Sequence, residues 1–497
     1  MVEVVDGPDK NQKKYYLKSR AGLSTVDTVA AGVGRGTYRW VMGGTEYRYI
    51  VVGNTVYVNG VANTTLTTST GYCGFTEYIN GTNTRQLVML DGTNGYVWTT
   101  PGGTAEPIIP PNWAASTAYT TGKRVKPTVS NNFFYEATTG GTSSGTQPTW
   151  PTVEGNTVVD GTVTWTCRGG SFPTPHVPHP VFINAYLFVA KKDTADIYNS
   201  NLNEPLRWTA GDFISAEMYP GNVVSLAKNN NYLYAIGDDS VEYFYDAANA
   251  TGTPLARHDS AVQQFGCVAP STVIQTEKEV IFIGETDNGG HTVWTIDGFK
   301  EREIGNPMVK GVLLAEGAAL ANATAFCVRV SNQKLYVICL TSRTLVYSFD
   351  TTMWHEWDCG ASGGSVFLAN YGTDGPGGAA YVLDRSSGRL YAMSETYLDD
   401  AGTNFQNQWV LDKEDFGTMN RKFMSRLSII GDIPDYNGAS NAITVDWSDD
   451  DYNTWSPTRS LSFNFDFPMI TQLGNFRRRA FRFRYSAAKR IRLEGIE

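Results

Sequence analysis

The sequence reads Tyr232-Leu-Tyr-Ala-Ile-Gly237 and, after a short polar turn, Val241-Glu-Tyr-Phe-Tyr245. Two short runs rich in apolar and aromatic residues, separated by turn residues, predict a pair of antiparallel β-strands. This pair of predicted strands recurs about every 45–55 residues, which is the period of propeller blades. Further copies lie at Tyr47–Gly60, Gln86–Trp98, Ala185–Tyr198, Val280–Gly298, Lys334–Asp350 and Ala380–Tyr391. The pattern predicts a β-propeller, with a β-sandwich built from meanders as the alternative.

Composition agrees with an all-β protein. Among 497 residues, 41% are hydrophobic, 12% are aromatic and only 18% are charged. Aromatic residues favour strands, and the 50 glycines supply turns. The best candidate for a short helix is Pro307–Leu320.

Proline-rich segments divide the chain. Residues 107–111 and 173–180 are rich in proline, which stiffens linkers and cannot donate to a sheet ladder. We therefore predict the first part of the propeller over 1–107, an inserted β module over 108–172 and the rest of the propeller over 173–404. Longer strands after residue 405 predict a C-terminal β-sandwich over 405–497.

Charge and cysteine pattern exclude several classes. The net charge of −9 disfavours a protein that coats duplex DNA. The six cysteines form no Cys-x-x-Cys pair, so we expect buried thiols rather than a zinc site or a disulfide framework. The sequence shows no signal peptide and no apolar run long enough for a membrane span.

Catalytic motifs are also missing from the sequence. Only five histidines occur, and His176 and His179 lie in the second proline linker, where we expect a solvated loop. Paired acids fall in predicted turns, where aspartate bonds its own backbone. We expect no enzyme activity, no metal and no cofactor. A propeller glycosidase that uses two carboxylates is the enzymatic alternative.

One acidic turn resembles the Asp-box, a motif that staples a β-hairpin. Residues 448–455 read Ser-Asp-Asp-Asp-Tyr-Asn-Thr-Trp, with Tyr452 where the motif has glycine. The resemblance implies a structural role for the motif residues, which are Ser448, Asp450, Thr454 and Trp455.

The inserted module is rich in aromatic residues. It resembles small carbohydrate-binding-like modules of phage tail and fibre proteins, whose exposed aromatic rings can stack on sugars. The candidate sugar-binding residues are Trp113, Tyr119, Tyr135, Trp150 and Trp165. The alternative is that these rings form the core of a very small domain and that the module serves as decoration or as a subunit contact.

A basic stretch lies near the C-terminus. From Ala480 to Tyr485, aromatic residues alternate with arginines, so a strand would place the rings on one face and the guanidinium groups on the other. The guanidinium groups must then meet solvent, an acidic protein surface or phosphate. The candidate interface or DNA-facing residues are Arg477, Arg478, Arg479, Arg482, Arg484, Lys489 and Arg490.

Several stretches together resemble one family. They are Tyr16–Leu23, Leu233–Pro270, Glu279–Ile296, Lys334–Trp357 and the arginine-rich strand that ends in Ile491–Glu494. They are similar to the packaged-DNA stabilisation proteins, the tail hub or nozzle proteins of Salmonella-type short-tailed phages. The inserted module departs from that pattern.

The resemblance implies a virion tail protein that is assembled in the host cytoplasm. It implies a hexameric ring below the portal and adaptor, with a lumen that continues the DNA channel. The implied partners are further copies of the chain, the adaptor, a tail needle or plug, a tailspike or fibre and, transiently, the genomic DNA. The alternative function is a receptor- or polysaccharide-binding tail component that contacts a host surface glycan through residues 108–172.

Overall fold

A computed structural model describes residues 2–6, 13–285, 289–432, 442–462, 468–487 and 489–496. Its chain forms two compact units. We call residues 27–325 with 385–388 the five-blade unit, and residues 1–26, 326–384 and 389–497 the sandwich unit. Within the described residues, no helix is long and apolar enough to cross a membrane.

Five antiparallel sheets, each built from four consecutive strands, form the blades of the five-blade unit. This local order explains why the period of the sequence reveals the fold: each blade folds from its own hairpins. Blade 1 comprises Gly34–Met42, Thr45–Val52, Thr55–Val58 and Val61–Thr65; blade 2 comprises Gly74–Ile79, Arg85–Leu90, Gly95–Trp98 and Glu106–Pro107; blade 3 comprises Val181–Ile183, Tyr186–Ala190, Asp196–Asn201 and Glu204–Ser215; blade 4 comprises Val223–Asn229, Tyr232–Gly237, Val241–Asp246 and Leu255–Gln263; and blade 5 comprises Ile274–Gln275, Val280–Glu285, His291–Asp297 and Lys300–Glu303.

A short helix follows blade 5. It spans Pro307–Glu316, and the side chain of Asn306 accepts a hydrogen bond from the backbone N–H of Val309 at its N-terminus. Proline at the first helical position and asparagine at the cap favour a helix start here. A 3₁₀ segment continues over Gly317–Asn322. The predicted helix is confirmed, with its second part in the tighter 3₁₀ form.

The inserted module is a separate small β structure between blades 2 and 3. Its main sheet has four strands, and a two-stranded sheet accompanies it. The main sheet comprises, in order, Arg124–Val125, Phe133–Thr139, Val163–Gly169 and Thr157–Asp160, and the smaller one comprises Ala118–Tyr119 and Gly141–Thr142.

Two further blades lie mostly in the sandwich unit; two residues of Gly22–Thr28 and two of Thr324–Val330 fall within the bounds of the five-blade unit. In blade 7 a strand from the N-terminal region pairs with the last of three strands from residues 369–394. Blade 6 comprises Thr324–Val330, Gln333–Cys339, Thr344–Ser348, Met353–Cys359 and Ser365–Val366; blade 7 comprises Gly22–Thr28, Arg389–Ser394, Ala380–Asp384 and Ala369–Asp374.

The same unit contains a β-sandwich with one common apolar core. Its first sheet comprises, in order, Asn407–Val410, Ala480–Tyr485, Ala442–Ser448 and Arg459–Ser462; the second comprises Val2–Asp6, Lys13–Lys18, Arg492–Ile496, Arg426–Asp432 and Met469–Thr471; and a two-stranded sheet pairs Lys422–Phe423 with Asn475–Phe476.

The N-terminal strands differ from expectation. Sequence analysis placed residues 1–107 in the propeller, whereas Val2–Asp6 and Lys13–Lys18 belong to the second sheet of the sandwich. Leu17 pairs with Leu493 in that sheet, and its side chain packs against the sandwich core. A pairing between residues so far apart in the chain leaves no periodic signal in either segment.

Candidate functional site

The five aromatic residues proposed for sugar binding lie in or against the core of the inserted module. Tyr135 and Trp165 are fully buried, and Trp113 is 8% exposed. Tyr119 and Trp150 are half-buried and pack against the same cluster. The ring centroids of Tyr135 and Trp150 are 4.2 Å apart, and those of Tyr119 and Trp165 are 4.9 Å apart. Rings that contact one another in this way have little free face for stacking on a sugar.

Asp160 organises this aromatic core. Its Oδ2 accepts hydrogen bonds from the indole N–H groups of Trp113, at 2.7 Å, and Trp165, at 3.0 Å. Its Oδ1 accepts from the backbone N–H of Ser144 at 2.9 Å and from the Ser144 hydroxyl at 2.6 Å. Burial alone would raise the pKa of Asp160, but these hydrogen bonds outweigh it and hold the pKa below its usual value. Sequence analysis did not single out Asp160, although it opens the turn before Trp165.

A hydrogen bond and an ion pair tie the inserted module to blade 3. The Arg124 guanidinium donates to the carbonyl oxygens of Leu206 at 2.7 Å and Ile108 at 2.9 Å. Glu136 pairs with Arg168 of the module at 2.9 Å and with Arg207 of blade 3 at 3.2 Å. A planar guanidinium that is held by several carbonyls resists rotation, so these contacts fix the orientation of the module on the blade.

The arginine-rich strand has the predicted alternation. Phe481, Phe483 and Tyr485 are buried in the sandwich core, and Arg482 and Arg484 lie on the other face. That face, however, contains its own counter-ion, Asp446.

Asp446 is the register partner of Arg482 on the neighbouring strand. Arg482 donates to both of its carboxylate oxygens, at 2.9 and 2.7 Å, and Arg484 forms a second ion pair with the same group. Arg482 also stacks on the Trp455 ring, 3.9 Å from its centroid. Both arginines keep some contact with solvent, at 23% and 25% exposure, but their main ionic partner is a carboxylate of the same chain, which the sequence pattern does not indicate.

Two more basic residues of the stretch are paired nearby. Arg479 is 1% exposed and donates to both oxygens of Asp449, at 2.7 and 2.8 Å. Arg478 is partly exposed and pairs with Asp451 at 2.9 Å. Carboxylates of the turn that follows Ala442–Ser448 therefore offset much of the local positive charge.

The remaining three basic candidates have other surroundings. The exposed Arg477 donates to the carbonyl oxygen of Met419 at 2.8 Å, and the exposed Arg490 donates to that of Glu395 at 2.8 Å. The Lys489 side chain is half-buried. Arg477 and Arg490 are the two exposed members of the seven, so an interface or DNA role of this stretch would fall mainly on them.

The Asp-box residues form the hydrogen bonds of a stapled turn. Asp450 Oδ1 accepts from the backbone N–H of Thr454 at 2.8 Å and from the Ser448 hydroxyl at 2.8 Å, and Oδ2 accepts from the Thr454 hydroxyl at 2.5 Å. These hydrogen bonds lower the pKa of Asp450. Tyr452, which replaces the glycine of the motif, adopts φ +70°, a conformation that glycine adopts without strain. The carboxylate is engaged with its own turn.

The histidines of the proline linker are buried, contrary to the expected solvated loop. His176 is 1% exposed and His179 is 8% exposed, and burial lowers the pKa of each to about 4. His179 lies 4.9 Å from Tyr72, ring to ring, and lines a cavity of about 410 Å³ in the five-blade unit. The linker packs here because apolar neighbours such as Val177 and Val181 belong to a core cluster.

Sequence analysis missed a buried ion pair in the sandwich unit. The Arg20 guanidinium donates to Asp400 Oδ1 at 2.9 Å and to the carbonyl oxygen of Asp358 at 2.9 Å, and it lies 3.7 Å from the centre of the Phe405 ring. The two charged residues are 380 positions apart in sequence, and nothing in the local pattern around either one indicates the contact.

No catalytic constellation emerges from these groups. Within the described ranges, no three His, Cys, Asp or Glu side chains are grouped so that they could hold a metal ion. The described acids of the Asp-box and of the arginine strand are engaged by hydrogen bonds or ion pairs.

Comparison with known proteins gives the family. A family model described as bacteriophage P22 Gp10, β-propeller, matches residues 8–397. The chain belongs to this family of phage packaged-DNA stabilisation proteins and is a β-propeller component of the phage tail. Membership in a structural family favours a non-enzymatic role. No curated protein matches the sequence.

Solved structures share the fold only distantly. The β-propeller domain of Myceliophteria thermophila Cps50 (Swd1) is 8% identical with a TM-score of 0.32, covering 75% of this chain and 99% of that chain. The N-terminal domain of Nup159 is 9% identical with a TM-score of 0.37, covering 79% and 97%. The WD40 domain of Toxoplasma gondii coronin is 10% identical with a TM-score of 0.33, covering 79% and 88%. These similarities carry no argument about function.

Proposed function

We propose that this protein is a nozzle or hub subunit of a short phage tail. Copies of it would form a ring that continues the DNA channel below the portal and adaptor, retains the packaged DNA and lets it leave on infection. The observation that carries the proposal is the family match over residues 8–397.

Electrostatics support a conduit rather than a DNA clamp. The chain carries a net charge of −9, which repels a polyphosphate at long range. The strand that looked most like a phosphate-binding face has Asp446 between Arg482 and Arg484. A duplex that passes such a protein would release few counter-ions and would therefore be held weakly.

The proposed partners follow from this role. A ring of identical subunits requires head-to-tail contacts, in which two different surfaces of each copy meet. The hexamer, the adaptor, the tail needle or plug, and the tailspike or fibre are those that the family resemblance implies. Assembly in the host cytoplasm, before the virion is complete, belongs to the same proposal.

For the inserted module we favour a subunit contact or decoration over sugar binding. Its aromatic rings pack on one another, while Val129, Val153 and Val159 are 81%, 60% and 70% exposed. Its anchoring through Arg124 would hold such a surface in a fixed orientation. Binding of any host glycan by the whole protein, lost on replacement of Trp150 by alanine, would restore the sugar-binding alternative.

Mass photometry with the purified adaptor tests the ring. We expect a complex that contains several copies of this chain when the adaptor is present. A chain that stays monomeric beside an assembled adaptor ring would overturn the proposal. Retention of duplex DNA at physiological salt, by contrast, would contradict only its electrostatic part.

A further inference from the structure

The sandwich unit contains a cleft of about 490 Å³ that none of the candidate sites uses. Two runs of consecutive residues line it, Trp354–Asp358 and Phe405–Leu411. Successive strand residues point to opposite faces of a sheet. A cleft that touches every residue of a run therefore follows the edge of the strand rather than one face.

The strand Asn407–Val410 is such an edge. It is the outermost strand of its sheet and pairs on one side with Ala480–Tyr485. Just beyond its end, the N–H of Leu411 donates to Phe481 on that paired side, at 2.9 Å. Because backbone groups alternate along a strand, the N–H and C=O groups of Gln408 and Val410 point the other way.

On the side of this strand that faces away from Ala480–Tyr485, one backbone hydrogen bond of a ladder is already formed. The backbone N–H of Gln406, which has the same parity as Gln408 and Val410, donates to the carbonyl oxygen of Gly360 at 3.1 Å. Beyond that point, no described residue forms a backbone hydrogen bond with the outward groups of Gln408 and Val410. The cleft continues where this ladder stops.

We propose that this cleft binds an extended peptide segment of another protein, which adds a strand to the edge at Gln408 and Val410. A peptide backbone supplies both the acceptors and the donors that this edge requires, and strand addition is an established mode of peptide recognition. The half-buried ring of Trp354 supplies an apolar contact for its side chains.

Charge indicates the kind of partner. The cleft is lined by the acids Glu356 and Asp358 and by one permanent cation, Arg20. Arg20 is paired with Asp400, and Glu356 forms only an exposed ion pair with Arg343, at 3.5 Å. An acidic lining disfavours an acidic segment. Because this chain itself carries −9, a neutral or basic segment of a different protein fits better than a second copy.

The test uses the full-length protein and a defined probe. The probe is a capped hexapeptide of alternating valine and threonine with lysine at both ends, and binding is measured by calorimetry. The peptide controls replace its valines by proline, which cannot donate to a ladder, or its lysines by glutamate. The protein variants are Val410→Pro, which removes one outward N–H, and Val410→Thr, which keeps it.

We expect the lysine probe to bind, and both control peptides to bind at least tenfold more weakly. We expect Val410→Thr to bind the probe like the wild type, and Val410→Pro to weaken binding about five- to tenfold, the effect of one lost hydrogen bond. The proline peptide, measured on the unaltered protein, checks the result if Val410→Pro disturbs the strand. Absence of probe binding at millimolar concentration would overturn the proposal, as would equal binding of the proline peptide. A loss of self-association in Val410→Pro without any probe binding would assign the cleft to a second copy and would also overturn it.

Discussion

Replacement of Asp446 by asparagine tests the account of the arginine strand. The Asp446 side chain is 2% exposed, and its partners Arg482 and Arg484 are 23% and 25% exposed. Removing one member of a buried ion pair leaves an uncompensated charge and costs about 3–5 kcal/mol. Because the two guanidinium groups retain some access to water, we expect the lower end, about 3 kcal/mol.

Hydrogen exchange followed by mass spectrometry measures this effect locally. A loss of about 3 kcal/mol corresponds to exchange roughly a hundredfold faster in the strand Ala480–Tyr485, where protection arises from opening of the sandwich. Asp451→Asn is the matched control, because Asp451 also pairs with an arginine but its side chain is 47% exposed. Such a pair contributes about 0–1 kcal/mol. Equal exchange rates in the two variants would refute the claim that Asp446 holds this face together.

Two other predictions concern buried groups. Asp160→Asn removes the charged acceptor shared by Trp113 and Trp165, so we expect faster proteolysis within residues 108–172 and altered tryptophan fluorescence. Asp160→Glu keeps the charge and should be less affected. Unchanged cleavage in Asp160→Asn would contradict the role of Asp160. His176 and His179 have folded-state pKa values of about 4, below the usual 6.5, so the unfolded chain binds protons at a higher pH than the folded chain does. The stability of the fold should therefore decrease as the pH drops from about 6.5 to about 4. If the melting temperature decreases equally in a variant with both histidines replaced by glutamine, this explanation is contradicted.

The propeller could be predicted from the sequence because each blade is a local structure. In blade 4, four consecutive strands between residues 223 and 263 pair with their sequence neighbours, so a repeated strand pattern carries the architecture. The same locality makes the helix at Pro307 predictable from its cap. The N-terminal strands could not be placed in this way, since Lys13–Lys18 pairs with Arg492–Ile496 across nearly the whole chain.

The candidate site was predictable only in part, for a related reason. The two-residue repeat of a β-strand correctly places Phe481 and Arg482 on opposite faces of the sheet. The counter-ion Asp446, however, can be identified only when the register of the two strands is known. Aromatic content alone does not distinguish a ring that stacks on sugar from one that fills a core. In the inserted module, the packing of Tyr135 against Trp150 favours a core role for these two rings.

The proposed tail-nozzle role is tested most directly by the mass of any assembly that forms when this protein is mixed with the proposed adaptor. The account predicts a ring-sized complex in which six copies contribute about 330 kDa, six times the chain mass of 54.5 kDa. Native mass spectrometry of the reconstituted complex would show it directly. An adaptor ring that carries a single copy, or none, would contradict the proposed role as a tail nozzle.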